Sequence, residues 1–338
     1  MLKNKDYNTV FYIWLISLIV LVGLIITVGG LTRLTDSGLS ITEWELFKGT
    51  FPPTNTDDWI EYFDAYKSIP QYLLINTNMT LDEFKFIFYW EYAHRLLARF
   101  IGLFFLIPFL FFLFLNILKK NTVIRLINIF ILILLQGAIG WYMVKSGLYE
   151  NVSVSHYRLS IHLVIAFSII SSLFWILLNF INKTKKKFFE INKNYIFLKF
   201  LLFFLFCQII LGAFVSGLDA GKIYQTWPLM NNSYFPNDLK LNNIFNFNEP
   251  SVTQFFHRNM AYLIFFLSVY VGFSIFKQND FKLYKSYLYF IIFIFIQIFL
   301  GISVLISGVN IYLASMHQIS TIFLLLTALN LYHRSIRS

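Results

Sequence analysis

The chain is short of charge. Of its 338 residues only 13% are Asp, Glu, Lys or Arg, whereas 58% are hydrophobic and 20% aromatic. A soluble domain carries about 25% charged and about 45–50% apolar residues, so a soluble enzyme is excluded and an integral membrane protein indicated. Cysteine is nearly missing. The single Cys207 excludes an intrachain disulfide, a CxxC redox motif and a thiolate-ligated zinc or iron–sulfur site. Acids are outnumbered, 17 against 27 Lys and Arg, for a net charge of +10. In a soluble protein that excess would suggest nucleic acid. In a membrane protein it follows from cytoplasmic loops rich in Lys and Arg, and no nucleic-acid partner is expected. The 41 Phe, in a chain also rich in Ile, Asn and Lys, read as a compositional habit of the source genome.

What is there in quantity is the long apolar run. Eight runs of about 20 residues are long enough to cross a bilayer as helices. They fall at 10–29, 95–118, 123–144, 159–181, 195–216, 256–276, 287–307 and 312–332. The first follows lysines, as a signal peptide would, but it lacks a small-x-small cleavage site and is read as a span. The lack of an Arg-rich, Ser-rich transit segment favours a bacterial chain.

Cations fix the expected orientation. One side holds Lys3 and Lys5, then Lys119, Lys120 and Arg125, then Lys183, Lys185, Lys186, Lys187, Lys193 and Lys199. Lys277, Lys282 and Lys285, and finally Arg334 and Arg337, fall on the same side. The other side holds Asp57, Asp58, Glu61, Asp64, Asp82, Glu83 and Glu91. Both termini are therefore expected in the cytoplasm, with segments 30–92 and 217–254 outside.

The two halves repeat. VGGLTRLTDSGLSITEWEL from Val28 aligns without a gap on LGAFVSGLDAGKIYQTWPL from Leu211, placing Asp36 on Asp219, Gly38 on Gly221 and Trp44 on Trp227. EYAHRLLARFIGLFF matches QFFHRNMAYLIFFLS and places His94 on His257. LQGAIGWYMVKSG matches IQIFLGISVLISG and places Gln136 on Gln297 and Gly140 on Gly301. YRLSIHLVIAFSI matches IYLASMHQISTIF and places His162 on His317. The expected fold is all-α: two four-helix bundles side by side, 1–182 and 183–338. An even number of spans per half makes the repeat parallel, related by an axis along the membrane normal.

Four of the six histidines, His94, His162, His257 and His317, thus occupy matched positions at the outer ends of alternate spans. A lone intramembrane histidine can be a hydrogen-bonded structural residue. Four that are paired across a repeat point to ligands, and two imidazoles per bundle suit a bis-histidine haem. Two-histidine zinc is weaker, because no third ligand or HExxH accompanies either pair. Arg33, Arg95, Arg99, Arg158 and Arg258 lie near these histidines and are candidate partners for haem propionates, against the plainer reading of snorkelling to headgroups. His156 and His333 are expected at the surface. Glu91, three residues before His94, faces the same side if a helix begins there. Its counterpart is the neutral Gln254, so chemistry is expected in the first half and a resident cofactor in the second. The plainer reading of Glu91 is an acid favoured at a helix N-terminus. Asp36 and Asp219 either orient the outer loops or cap helices. Trp44 and Trp227 sit in lids over the site or in the aromatic belt.

GGLTRLTDSGLSITEW, EYAHR, SHYRLSIHL, FHR and MHQ, in this order on eight spans, resemble the haem A synthase family. The form resembled is the alphaproteobacterial and mitochondrial one, which lacks paired outer-loop cysteines, and the resemblance covers nearly the whole chain. It implies an oxidoreductase acting on a methyl group. That enzyme converts the C8 methyl of haem O to the formyl of haem A, the cofactor of aa3-type oxidases, by two hydroxylations and loss of water. By the same resemblance His94 and His162 would ligate the substrate haem, His257 and His317 a haem b, and Glu91 would be the functional acid. A bacterial inner-membrane location with the sites toward the periplasm is implied, with haem O synthase as a candidate partner and a homo-oligomer as one option. The electron acceptor is not named by any motif. Two other classes fit less well. A dihaem electron-transfer cytochrome of the b561 type usually sets its haems at opposite faces. An ion-coupled transporter would have buried acids or broken helices in its spans, and a haem carrier would not need the Glu91/Gln254 difference.

Overall fold

The computed structural model describes residues 2, 5–44, 48–149, 152–189, 195–239 and 244–336. Lys3, Lys193 and Arg337, used above for orientation, and Glu45 and Leu46 of the first repeat segment lie outside them. The described residues are helical, and their only β-pairing is two isolated bridges. Eight helices are long and apolar enough to cross a membrane. They are α1 (Asn8–Leu34), α4 (Leu81–Phe114), α5 (Lys120–Gly147), α6 (His156–Ile181), α7 (Ile196–Gly217), α8 (Pro250–Lys277), α9 (Phe281–Ile306) and α10 (Ile311–Ser335). Two shorter helices, α2 (Thr56–Lys67) and α3 (Pro70–Leu74), precede α4.

Local chemistry sets most of the ends. Asn310 caps α10 by accepting from the amides of Tyr312 and Leu313. Pro70 and Pro250 stand in the first turns of α3 and α8, where a missing N–H costs nothing. α1 and α7 stop at the repeat-matched Asp36 and Asp219, each in the left-handed region at φ 50°. After α1 the amide of Asp36 donates to the Arg33 carbonyl and that of Ser37 to the Thr32 carbonyl, the paired bonds of a Schellman stop. Asp tolerates this conformation better than most residues. Both aspartates therefore act as helix stops, the question the repeat alone left open.

α4 departs most from expectation. It begins at Leu81, not near residue 95, because Thr80 and Glu83 form a reciprocal capping box. Its first turns continue beyond the apolar run as an amphipathic segment. Phe84, Ile87 and Phe88 bury themselves with Trp59, Phe63 and Tyr66 of α2 and with Leu39 and Ile41. The Tyr66 hydroxyl donates to Gln71 Oε1 and accepts from Asn76, and Gln71 Nε2 donates to the Asp36 carbonyl, tying α2 and α3 to the end of α1. Burial raises the pKa of the Tyr66 phenol, so it serves as a neutral hydrogen-bonding group.

The chain forms two compact units: Met1–Asn8 with Val20–Ala166, and Thr9–Ile19 with Phe167–Ser338. In the first, α2 packs on α3 and α4, and α4 on α5. In the second, α7 packs on α8 and α10, and α9 on α8 and α10. Large apolar side chains on the long helices stay exposed, among them Phe114, Ile107, Val20, Phe266 and Phe299. Such surfaces suit hydrocarbon, where a helix satisfies its own backbone polar groups.

Candidate functional site

In the first unit the two expected ligands meet. His94 on α4 and His162 on α6 have ring centroids 6.5 Å apart at an interplanar angle of 63°. Each ring rests against the backbone of a glycine on a third or fourth helix, His94 against Gly29 of α1 and His162 against Gly140 of α5. The second unit repeats this, with His257 of α8 against Gly212 of α7 and His317 of α10 against Gly301 of α9. Gln208 donates to the His257 carbonyl at 3.1 Å, and Gln297 lies 3.3 Å from His317 Nε2 while donating to Thr321.

The paired imidazoles fit a haem iron. In all four histidines Nδ1 is buried without a protein partner, so each ring keeps one nitrogen that the protein does not satisfy. Two metal–nitrogen bonds of about 2 Å, with roughly 1 Å from each nitrogen to its ring centre, separate the centroids by about 6 Å, close to the spacing of His94 and His162. Among the described residues no three His, Cys, Asp or Glu gather as a metal site. A pair is sufficient for a metal that brings its own in-plane ligands, as haem does.

Glu91 is not at a helix start; it lies ten residues into α4 and is 3% exposed. The macrodipole reading therefore fails, and a buried acid does occupy a membrane-length helix, contrary to expectation. Four donors hold it. Ser40 Oγ and the Ile41 amide reach Oε2 at 2.7 and 2.9 Å, and Arg95 reaches Oε1 through Nη2 at 2.6 Å and Nε at 3.0 Å. Arg95 also donates to the carbonyls of Ile41 and Glu43 and lies over the Trp44 ring. The acid and its arginine thus clamp the segment after α1 onto α4. Thr32 adds a bond to the Trp90 carbonyl.

The second unit builds the same clamp at matched positions. Gln254 donates to the Tyr224 carbonyl, and Arg258 donates to those of Tyr224 and Thr226. Tyr224 and Thr226 are the repeat counterparts of Ile41 and Glu43. The difference is electrostatic: Gln254 Oε1 and Arg258 Nε are buried and unpartnered where Glu91 and Arg95 share an ion pair.

The remaining candidates scatter. Arg33 pairs with Asp36 at 2.7 Å, Arg99 donates to the Gly49 carbonyl, and Arg158 binds Ser146 and lies over Tyr142. Trp44 and Trp227 are about half exposed. Cys207 is a partly buried free thiol on α7. Two expectations need correction. His156 is not a surface residue; it opens α6, is 8% exposed and lies tilted against the Tyr157 ring. His333 is not solvated; it is 1% exposed, packed edge-on against Trp175 and 3.4 Å from Asn179 Oδ1. Lys186 caps the end of α10 by donating to the carbonyls of His333 and Ile336.

Sequence reasoning missed the Gly29/Gly212 contacts, the Ser40–Ile41 docking of Glu91, and Gln208. The glycines were visible, since both glycine pairs align in the repeat, but their neighbours were not.

Comparison with known proteins agrees with this arrangement. Residues 12–329 match the model of the cytochrome oxidase assembly protein family. The Heme A synthase of Pelagibacter ubique is 53% identical over 333 residues, covering 96% of each chain. That of Rickettsia bellii is 42% identical over 316 residues, covering 92% of this chain and 94% of its own. That of Bradyrhizobium diazoefficiens is 42% identical over 332 residues, covering 96% and 91%. With a family match across nearly its whole length and relatives this similar end to end, the chain belongs to the cytochrome oxidase assembly protein family that includes these haem A synthases.

Proposed function

We propose that this protein is a haem A synthase that oxidises the C8 methyl of haem O to the formyl of haem A. The observation that carries the reading is a doubled imidazole pair with a buried carboxylate one helical turn before the first histidine of only one of the two. In this reading residues 1–182 form the substrate half, with haem O held by His94 and His162. Residues 183–338 form the cofactor half, with haem b held by His257 and His317. Each half is one four-helix bundle of a parallel repeat, both termini are cytoplasmic, and the sites lie toward the periplasmic side of a bacterial inner membrane.

The methyl is hydroxylated to a carbinol, hydroxylated again to a geminal diol, and loses water to leave the aldehyde. Formally, methyl plus water gives formyl plus four protons and four electrons. When bound, haem b supplies electron transfer. The chain's own residues do the rest. The histidines orient the substrate ring, the two clamps hold the loops over the sites, and the apolar helices exclude water. Glu91, fixed by four donors, is built as a stationary charge for stabilising positive charge that develops at the methyl carbon. With both oxygens occupied it is less suited to carry a proton. Arg33, Arg99 and Arg158 are the proposed propionate partners. Arg95 and Arg258 belong to the same set, but Arg95 is committed to Glu91 and two loop carbonyls, and Arg258 to loop carbonyls.

The test is the haem inventory of the detergent-purified protein from a host that makes haem O. Haem b together with haem O or haem A is expected, with His94→Ala losing the substrate haem and His257→Ala losing haem b. Haem b alone, with added haem O left unmodified, would favour an electron-transfer cytochrome; no haem in a folded sample would remove both readings.

A further inference from the structure

We propose that Gly29, Gly140, Gly212 and Gly301 are positioning residues, each shaping the seat of one axial imidazole. This rests on the bis-histidine reading above. These four glycines meet four different histidine rings. A β-carbon added at Gly29 or Gly140 would lie 2.9 Å from Cε1 of His94 or His162. At Gly301 it would lie 3.0 Å from His317, and at Gly212 3.3 Å from His257. Carbon atoms in contact sit at about 3.5–4.0 Å, so each ring lies against bare helix backbone where any side chain would intrude. The four form two repeat pairs, Gly29 with Gly212 and Gly140 with Gly301. In every case the glycine is on the odd-numbered span of its half and the histidine on the next one.

The physical consequence depends on whether the ring is free to move. An unligated imidazole can swing away from a new methyl. A ring bonded to iron is fixed in position and plane, so the methyl must displace the iron bond, the ring plane or the helix. The glycine backbone is thereby one wall of the ligand seat, and the close approach sets where the ring stands relative to the metal. Changes in the groups that orient a metal's ligands typically weaken metal retention about 10–100-fold.

The molecule contains its own controls. Gly102 on α4 and Gly137 on α5 share helices with His94 and Gly140, and an added β-carbon at either meets nothing within 4 Å. Gly272 on α8 admits the Tyr287 ring, whose hydroxyl donates to the Ser268 carbonyl. It is a glycine that serves packing alone.

The experiment uses full-length detergent-purified protein. Haem content by extraction and the low-spin electron paramagnetic resonance signals of the two haems are measured in each glycine-to-alanine variant. Gly29→Ala and Gly140→Ala are expected to weaken retention of the first-half haem about 10–100-fold or shift its signal alone. Gly301→Ala should do so for the second-half haem, and Gly212→Ala should fold and show the mildest shift. Gly102→Ala and Gly137→Ala should leave both signals in place, and Gly272→Ala should lower the unfolding temperature without a site-selective change. The proposal is overturned if wild-type protein shows two bis-histidine signals and the four variants keep both unchanged. It is equally overturned if each variant loses both haems together, as a general packing defect would. A wild-type protein with no haem would instead remove the functional reading on which the proposal stands.

Discussion

The clamp around Glu91 and the clamp around Gln254 are the same hydrogen-bonded device built with different charge. In each, an arginine one turn after the first clamp residue reaches back to two carbonyls of the loop, at repeat-matched positions. In the first, a carboxylate also binds that arginine and two donors of the loop. In the second, a neutral amide leaves one acceptor and one arginine donor without partners. Holding a loop therefore does not require an acid, because Gln254 manages without one. The ion pair at Glu91 is an addition to the shared architecture, and an addition confined to one half is what a division between a reacting site and a resident cofactor would need.

The sharpest way to break this comparison is to exchange the two residues. Glu91→Gln gives the first half the composition of the second, so the protein should fold and keep its haems. Conversion of haem O should fall by about 10²–10³-fold, the usual loss when a charge-stabilising group is removed. Product analysis by chromatography of extracted haems checks this, and normal haem A yield would take Glu91 out of the chemistry. Gln254→Glu should close the open pair with Arg258 and leave haem A formation in place. An equal loss from that exchange would show that the acid is not specific to one site.

A smaller effect separates the two arginines. Arg95→Ala leaves Glu91 as a buried, uncompensated carboxylate, a change that costs about 3–5 kcal/mol. Arg258→Ala removes hydrogen bonds beside a neutral amide and should cost about 1–3 kcal/mol. Thermal unfolding in detergent, with protease cleavage of the adjoining loops, ranks the two. If Arg258→Ala proved as costly, the electrostatic distinction between the clamps would collapse.

The smallest expected effect lies at the matched helix stops. Asp36→Ala and Asp219→Ala put a β-carbon without a local polar partner into the left-handed region, at about 1–2 kcal/mol. Glycine at either position should be near neutral. Unfolding midpoints for the alanine and glycine variants test this, and equal midpoints would show that the side chains, not the backbone, stop these helices.

Much of the fold was legible. Apolar runs marked all eight membrane-length helices, because insertion into hydrocarbon depends on a local sum of side-chain hydrophobicity. The main misreading, the start of α4, came from taking the apolar run as the helix. The capping box Thr80–Glu83 was a readable signal, and the aromatic partners that stabilise the added turns lie on α2, which hydropathy passes over. The burial of His156 and His333 was not legible. Both sit beside polar or charged neighbours in sequence, and what buries His333 is Trp175 and Asn179, more than 150 residues away.

The sequence by itself determined the number of long helices, the register of the repeat, the four matched histidines and the contrast between Glu91 and Gln254. These are properties of composition and spacing, which need no knowledge of what packs against what. Only the tertiary structure decided that Glu91 lies deep in a helix, held by Ser40, Ile41 and Arg95, that Asp36 and Asp219 end helices, and that each histidine ring leans on a particular glycine. The reason is physical. The hydrogen-bond partners of a buried acid and the room around a ring are fixed by atoms a few ångströms away in space, and those atoms come from distant parts of the chain.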